Sequence, residues 1–100
     1  MNLIIPVDCN DMEEAQLVGL NDVKYWLFLT MDGGKPSNEQ FFEKREDIEE
    51  FIDIVIVNSP DEYVWPFMEE NIAVLVAPLQ RYVEDIVEAY IFKELHDLSI

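Results

Sequence analysis

An α/β fold with parallel strands at its centre is predicted by two apolar runs and by the length of chain between them. Residues 52–57 (IDIVIV) and 72–77 (IAVLVA) are too short for ordinary helices and rich in β-branched side chains, so they read as strands. Apart from Asp53 they are apolar on both faces rather than alternating, the pattern of parallel strands covered on each side. Parallel neighbours need a long crossover, and residues 58–71 supply enough chain for a helix and its turns. Ligands of open α/β sheets sit beyond the carboxyl ends of the strands, which puts Asn58, Ser59 and Pro78 on the rim where function is expected.

The remaining elements follow in order. Residues 2–7 (NLIIPV) form a strand that Asp8 ends, with Pro6 near its end or at a gap in pairing because it has no amide to donate. Residues 8–20 have no clean period and contain at most a short helical turn around 12–18. Residues 23–30 (VKYWLFLT) read as a strand from their aromatic and branched content. The Asp32-Gly33-Gly34 turn then leads to a partner strand over 39–43 (EQFFE), making a hairpin. In 44–51 (KREDIEEF), Ile48 and Phe51 stand three apart, which predicts a short helix with one apolar edge and an acidic outer face.

The crossover opens on Ser59-Pro60-Asp61-Glu62, a serine cap, a proline at the first helical position and a glutamate at the third, together a capping box worth ~1 kcal/mol. Pro66 removes a donor inside this segment and is expected to kink or split it. Asn71 suits a left-handed helix end. Residues 81–95 are the strongest helix: Val83, Ile86, Val87 and Tyr90 follow one buried stripe, extended by Ile91 and Leu95, while Glu84, Asp85 and Glu88 point outward. The predicted order is βββαβαβα, with no repeat, linker or low-complexity tract, in a single domain over 1–100.

Half of the 100 residues are hydrophobic, which argues for a packed globule. Against 22 acidic residues stand only 6 basic ones, a net charge of −16. Such a surface repels phosphate, so nucleic acid and anionic membranes are excluded as direct partners. What the charge leaves is a basic protein partner, a cation or cluster, or the plain reading that it serves solubility. The oligomeric state is not legible. Cys9 is the only cysteine, which precludes an internal disulfide and a closed all-cysteine metal site and suits a reducing cytoplasm. The first residues carry no Lys or Arg before a short apolar stretch, so no secretory signal is read there. With one histidine and no phosphate loop, no enzymatic apparatus is visible, and a non-catalytic protein is expected.

Several segments in this order carry a likeness. The opening NLIIPVD, the stretch from Gly19 to Lys35 with KYWLFLTMDGGK, and the strand–helix–strand–helix pattern from Ile52 to Leu95 ending in YIFKEL together resemble the dinitrogenase iron-molybdenum cofactor biosynthesis family. That family includes NifX-like carriers and the C-terminal domain of NifB-type proteins. The resemblance implies a ribonuclease H-like fold, a mixed five-stranded sheet with helices on its faces. It also implies a small accessory role in binding an iron–sulfur or iron–molybdenum cofactor precursor. Family members commonly carry His-Phe-Gly before the aromatic strand; this chain reads Leu17-Val18-Gly19. They often carry a glycine-rich loop after the fourth strand, where this chain has Asn58-Ser59-Pro60.

With that histidine absent, the resemblance leaves Asp8, Cys9, Asn58 and Ser59 as the cofactor-binding candidates and Cys9 as the metal ligand. Cys9 has an ordinary structural explanation beside it, since free cysteines usually behave as small buried hydrophobes. His96, near the last helix's carboxyl end, is explained by the helix dipole. The acidic run Glu43, Glu46, Asp47, Glu49, Glu50 and Asp53 reads as a solvated face or a basic-partner contact, without the alternating ligands and central glycine of a calcium loop. Tyr63, Trp65 and Phe67 cap the core or form a protein-binding patch. A metal-dependent nuclease using Asp8 is disfavoured for want of convergent carboxylates and a basic groove. Two further readings stand beside the carrier: an acidic protein-interaction module that binds no metal, and an acidic nucleic-acid mimic.

Overall fold

The computed structural model describes residues 1–98. Its single mixed sheet has six strands: β1 (Asn2–Val7), β2 (Tyr25–Asp32), β3 (Lys35–Phe42), β4 (Ile54–Val57), β5 (Ala73–Val76) and β6 (His96–Asp97), in the spatial order β3-β2-β1-β4-β5-β6. The two apolar runs lie side by side and parallel, with Ile54 opposite Ala73 and Val57 opposite Val76. β1 runs parallel to β4 and antiparallel to β2. The carboxyl ends of β1, β4 and β5 therefore share one rim. The expected five strands are joined by a sixth at the β5 edge, where Val76 pairs with His96 and Leu75 with Asp97.

Alternation along the strands divides the core into two layers. Leu3, Ile5, Val7, Leu27, Leu29, Ile54 and Ile56 face α2 (Val83–Ile91), which contributes Val83, Ile86 and Val87, and Ala15 and Leu17 join them from the loop after β1. Ile4, Phe28, Val55, Val57, Val74 and Val76 face α1 (Trp65–Glu69), which contributes Phe67. Asp53, the one charge in the IDIVIV run, precedes β4 and is tied down: its carboxylate accepts the Asn2 amide at 2.8 Å, and its own amide donates to the Asn2 carbonyl at 2.9 Å.

The β2–β3 hairpin turns on Gly33 and Gly34 at φ 61° and 82°, with Asp32 opposite Lys35, so both loop residues hold the positive φ that a two-residue hairpin loop favours. β3 begins at Lys35 rather than 39. Near Leu29 its register slips beside Asn38, at φ 51°, a bulge that twists this edge strand and discourages edge-to-edge pairing.

Three helical expectations change. The segment expected to form a helix over 44–51 makes only a 3-10 turn, Arg45–Asp47, and Phe51 is 72% exposed. Lys44 supplies no side-chain cap, and carboxylates four apart, such as Glu46 and Glu50, repel on a helix face. α1 starts at Trp65, with Pro66 in its first turn where a missing amide costs nothing, so Pro66 begins the helix instead of splitting it. The Ser59 hydroxyl accepts the Asp61 amide at 3.1 Å, but Glu62 reaches away from it, and no capping box forms.

α1 ends as expected at Asn71 (φ 62°), where the Ile72 amide reaches the Phe67 carbonyl at 2.9 Å and Asn71 reaches Met68 at 3.0 Å, a Schellman motif. α2 ends the same way but earlier than residue 95. Lys93 takes φ 57°, Glu94 donates to Ala89 at 2.8 Å and Lys93 to Tyr90 at 3.1 Å. That reversal returns the chain to the sheet, so His96 is a strand residue rather than a helix-end cation.

Arg45 is fixed over the Phe67 ring at 4.7 Å and pairs with Glu70 through both terminal guanidinium nitrogens. The hydrogen bond from Arg45 holds the Glu70 carboxyl below its usual pKa, opposed by a little desolvation and reinforced by the cation's charge. A depressed carboxylate stabilises the fold above its unfolded pKa and loses that contribution as pH falls through its folded one. Glu70 is half exposed, so the gain is small. Glu70→Gln should cost less than about 1 kcal/mol at pH 7 by urea melting, with wild type and variant converging as the pH falls below the folded Glu70 pKa.

Candidate functional site

At the carboxyl end of β1 the rim is occupied by the chain's own backbone. Val7 pairs with Tyr25 on its β2 edge and with Leu17 on the other. A strand has two edges, so Leu17 occupies the β4 side of β1, where the connections leave in opposite directions. The Val18 amide donates to the Pro6 carbonyl at 3.0 Å, which gives the strand's proline a partner through its acceptor. The Leu17 amide donates to the Arg81 carbonyl at 2.7 Å, and Gln16 bridges to Tyr82. Residues 16–18 are thus wedged between the end of β1 and the loop entering α2.

Asp8 belongs to this wedge: one carboxylate oxygen accepts the Gln16 amide at 2.9 Å, and the Asp8 amide donates to the Gln16 carbonyl at 3.2 Å. Cys9 is half-buried and packs against the core layer beneath α2. Asn58 and Ser59 follow β4 and are half-buried, the Ser59 hydroxyl being engaged in its own turn. Parallel pairing places all four candidates at the same end of the sheet. Hydrogen bonds and packing commit Asp8, Cys9 and Ser59 to the loops that carry them.

Two side chains that the sequence did not place at this rim, Glu62 and Arg81, hold the loops around the wedge. The Glu62 carboxylate accepts the Leu20 amide at 3.1 Å. A Cβ on Gly19 would stand 2.9 Å from that same oxygen, so glycine is what lets the carboxylate close in. The Arg81 guanidinium donates to the carbonyls of Ala77 at 3.1 Å, Pro78 at 3.2 Å and Gln80 at 2.9 Å, fixing the β5–α2 connection. The available signal for Arg81 was its rarity, one of 6 basic residues in a chain of net charge −16.

An iron–sulfur or iron–molybdenum group is held by several soft, converging donors. Here one Asp8 carboxylate oxygen is engaged by the Gln16 amide, and Cys9 is the sole cysteine. Among the described residues no three His, Cys, Asp or Glu side chains converge on a metal-sized space. The donors present do not fit a resident cluster. The acidic run lies elsewhere, with Glu46, Glu49, Glu50 and Phe51 lining a hollow of about 520 Å³ beside the Arg45–Glu70 pair. No helix among the described residues is long and apolar enough to cross a membrane.

No protein-family model matches the sequence, and no curated protein matches it. Among solved structures, the chain is similar to a Methanocaldococcus jannaschii protein named a "putative dinitrogenase". The crystal structure of that protein gives a TM-score of 0.78 at 18% identity, covering 99% of this chain and 95% of the other. An NMR structure of it gives 0.76 at 18% identity, covering 100% and 94%. The protein PH0822 is similar at a TM-score of 0.75 and 17% identity, covering 97% and 96%. Likeness over nearly the whole of each chain establishes a shared fold.

Proposed function

We propose that this chain is a non-catalytic accessory domain of the ribonuclease H-like, NifX-like type, and that it acts by binding a basic protein partner rather than by holding a metal cluster. The order β3-β2-β1-β4-β5, with only β2 antiparallel to the rest, supports the family reading, and β6 is an addition at one edge. The observation that carries the second half is the wedge of residues 16–18, whose backbone fills the crevice where α/β sheets seat their ligands. A net charge of −16 then steers a basic partner toward the domain and speeds its encounter.

The carrier reading stands second, favoured by the position of Cys9 on this rim and by the name of the structural neighbour. Anaerobic incubation with ferrous iron and sulfide, followed by desalting, separates the two. The proposal expects a colourless, iron-free protein. A brown chromophore that survives desalting and fades in Cys9→Ala overturns it in favour of the carrier.

A further inference from the structure

Beside α2 runs an apolar groove of about 380 Å³, floored by Val83 and Val87 and walled by Met12, Pro36 and Ile91. Glu84 and Glu88 stand along it. At Met12 it continues into a second hollow lined by Glu13, Tyr82, Glu84 and Asp85. The greasy floor is therefore bordered by Glu84 and Glu88, and the adjoining hollow adds Glu13 and Asp85, all four on exposed residues. Ile91 and Tyr82 remain 39% and 46% exposed at its two ends.

The geometry points to this groove as the docking site for a basic amphipathic helix of a partner protein. The inference rests on the protein-recognition reading above and specifies where and what the domain recognises. Length sets the first condition. From Val83 to Ile91 the helix axis runs about 12 Å, matching the roughly 10 Å spanned by apolar side chains at i, i+4 and i+7 of a docked helix. Charge sets the second. Glu84 and Glu88 on the groove, with Glu13 and Asp85 in the adjoining hollow, attract Lys and Arg on the flanks of such a helix. The same carboxylates repel a second copy of this chain, an acidic segment, nucleic acid and anionic lipid. Met12 supplies an adaptable side chain at the groove wall, suited to varied apolar anchors.

The probe is a Leu/Lys peptide of about 14 residues with leucines at i, i+3, i+4 and i+7, compared with a scrambled peptide of identical composition. Fluorescence anisotropy at low and physiological ionic strength gives affinity, and amide shifts in 15N-labelled protein give location. The patterned peptide should bind at least ~10-fold tighter than the scrambled one and move the resonances of Met12, Val83, Val87 and Ile91. Met12→Ser/Ile91→Ser should remove that pattern-dependence, and Glu84→Lys/Glu88→Lys should remove the salt-sensitive part. Circular dichroism on each variant confirms the fold. Equal binding of both peptides, or unchanged binding by the folded variants, overturns the inference. Shifts confined to residues 45–52 overturn this groove while leaving protein recognition standing through another face. Concentration-dependent dimerisation abolished by Met12→Ser/Ile91→Ser also overturns it, assigning the groove to a second copy.

Discussion

Phe28→Ala is expected to cost about 3–5 kcal/mol, the full penalty of emptying an aromatic site in a core that cannot collapse around it. Phe28 is only 2% exposed and sits in the middle of β2, opposite Ile4 on β1 and Gln40 on β3. Its ring belongs to the layer built by Ile4, Val55, Val57, Phe67, Val74 and Val76. That layer has thin cover, because α1 is five residues long and Phe67 is its one buried side chain. Little backbone can move in to fill the space. Against the roughly 5–15 kcal/mol that holds a typical domain, such a loss leaves a protein near its threshold, with a thermal midpoint lower by more than about 10 °C. Urea unfolding followed by the fluorescence of Trp26, whose ring lies 6.1 Å from Phe67, and of the exposed Trp65 measures it. A cost under about 1 kcal/mol would mean that the α1 side of the sheet is not a packed layer.

The parts of this fold that could be read from the sequence are those where one local rule acts alone. IDIVIV and IAVLVA announce buried parallel strands because no polar residue interrupts their faces beyond Asp53, and Asp53 lies just before the ladder, bonded to Asn2. Gly33-Gly34 and Asn71 mark turns because few other residues accept positive φ. The errors fall where two rules compete. Ser59 and Glu62 have the spacing of a capping box, but a half-buried amide at Leu20 needs an acceptor and takes the carboxylate. Residues 44–51 have two apolar side chains three apart, too few to offset helix nucleation among so many like charges.

The end of α2 was hidden for a different reason. Lys93 occupies a left-handed position that lysine rarely takes, so nothing in its identity announced the reversal that creates β6. The candidate site divides in the same way. That Asp8 and Asn58 share a rim follows from strand direction alone. That residues 16–18 fill this rim depends on long-range pairing with Val7, Arg81 and Tyr82, which no local pattern encodes.

Leu17→Ala tests that wedge and should cost about 2–5 kcal/mol, with the damage concentrated at the rim. Leu17 is 3% exposed, packed with Ala15 and Ile86 in the layer beneath α2, and its amide makes the 2.7 Å bond to Arg81. The flanking loop has little regular structure of its own, so it stays in the crevice because its side chain is buried there. Losing that anchor frees the Leu17 and Val18 amides, which donate to Arg81 and Pro6. Their hydrogen exchange should accelerate far more than that of the β4 and β5 amides, because the opening is local. A variant that keeps wild-type stability and exchange rates at residues 16–18 would show that packing of Leu17 does not hold the segment. The crevice would then be gated at little cost, and the argument against a ligand on this rim would fall with it. Slowed exchange in wild type and fast exchange in the variant would instead show the chain occupying its own ligand crevice, which leaves the outer faces of the domain to do the binding.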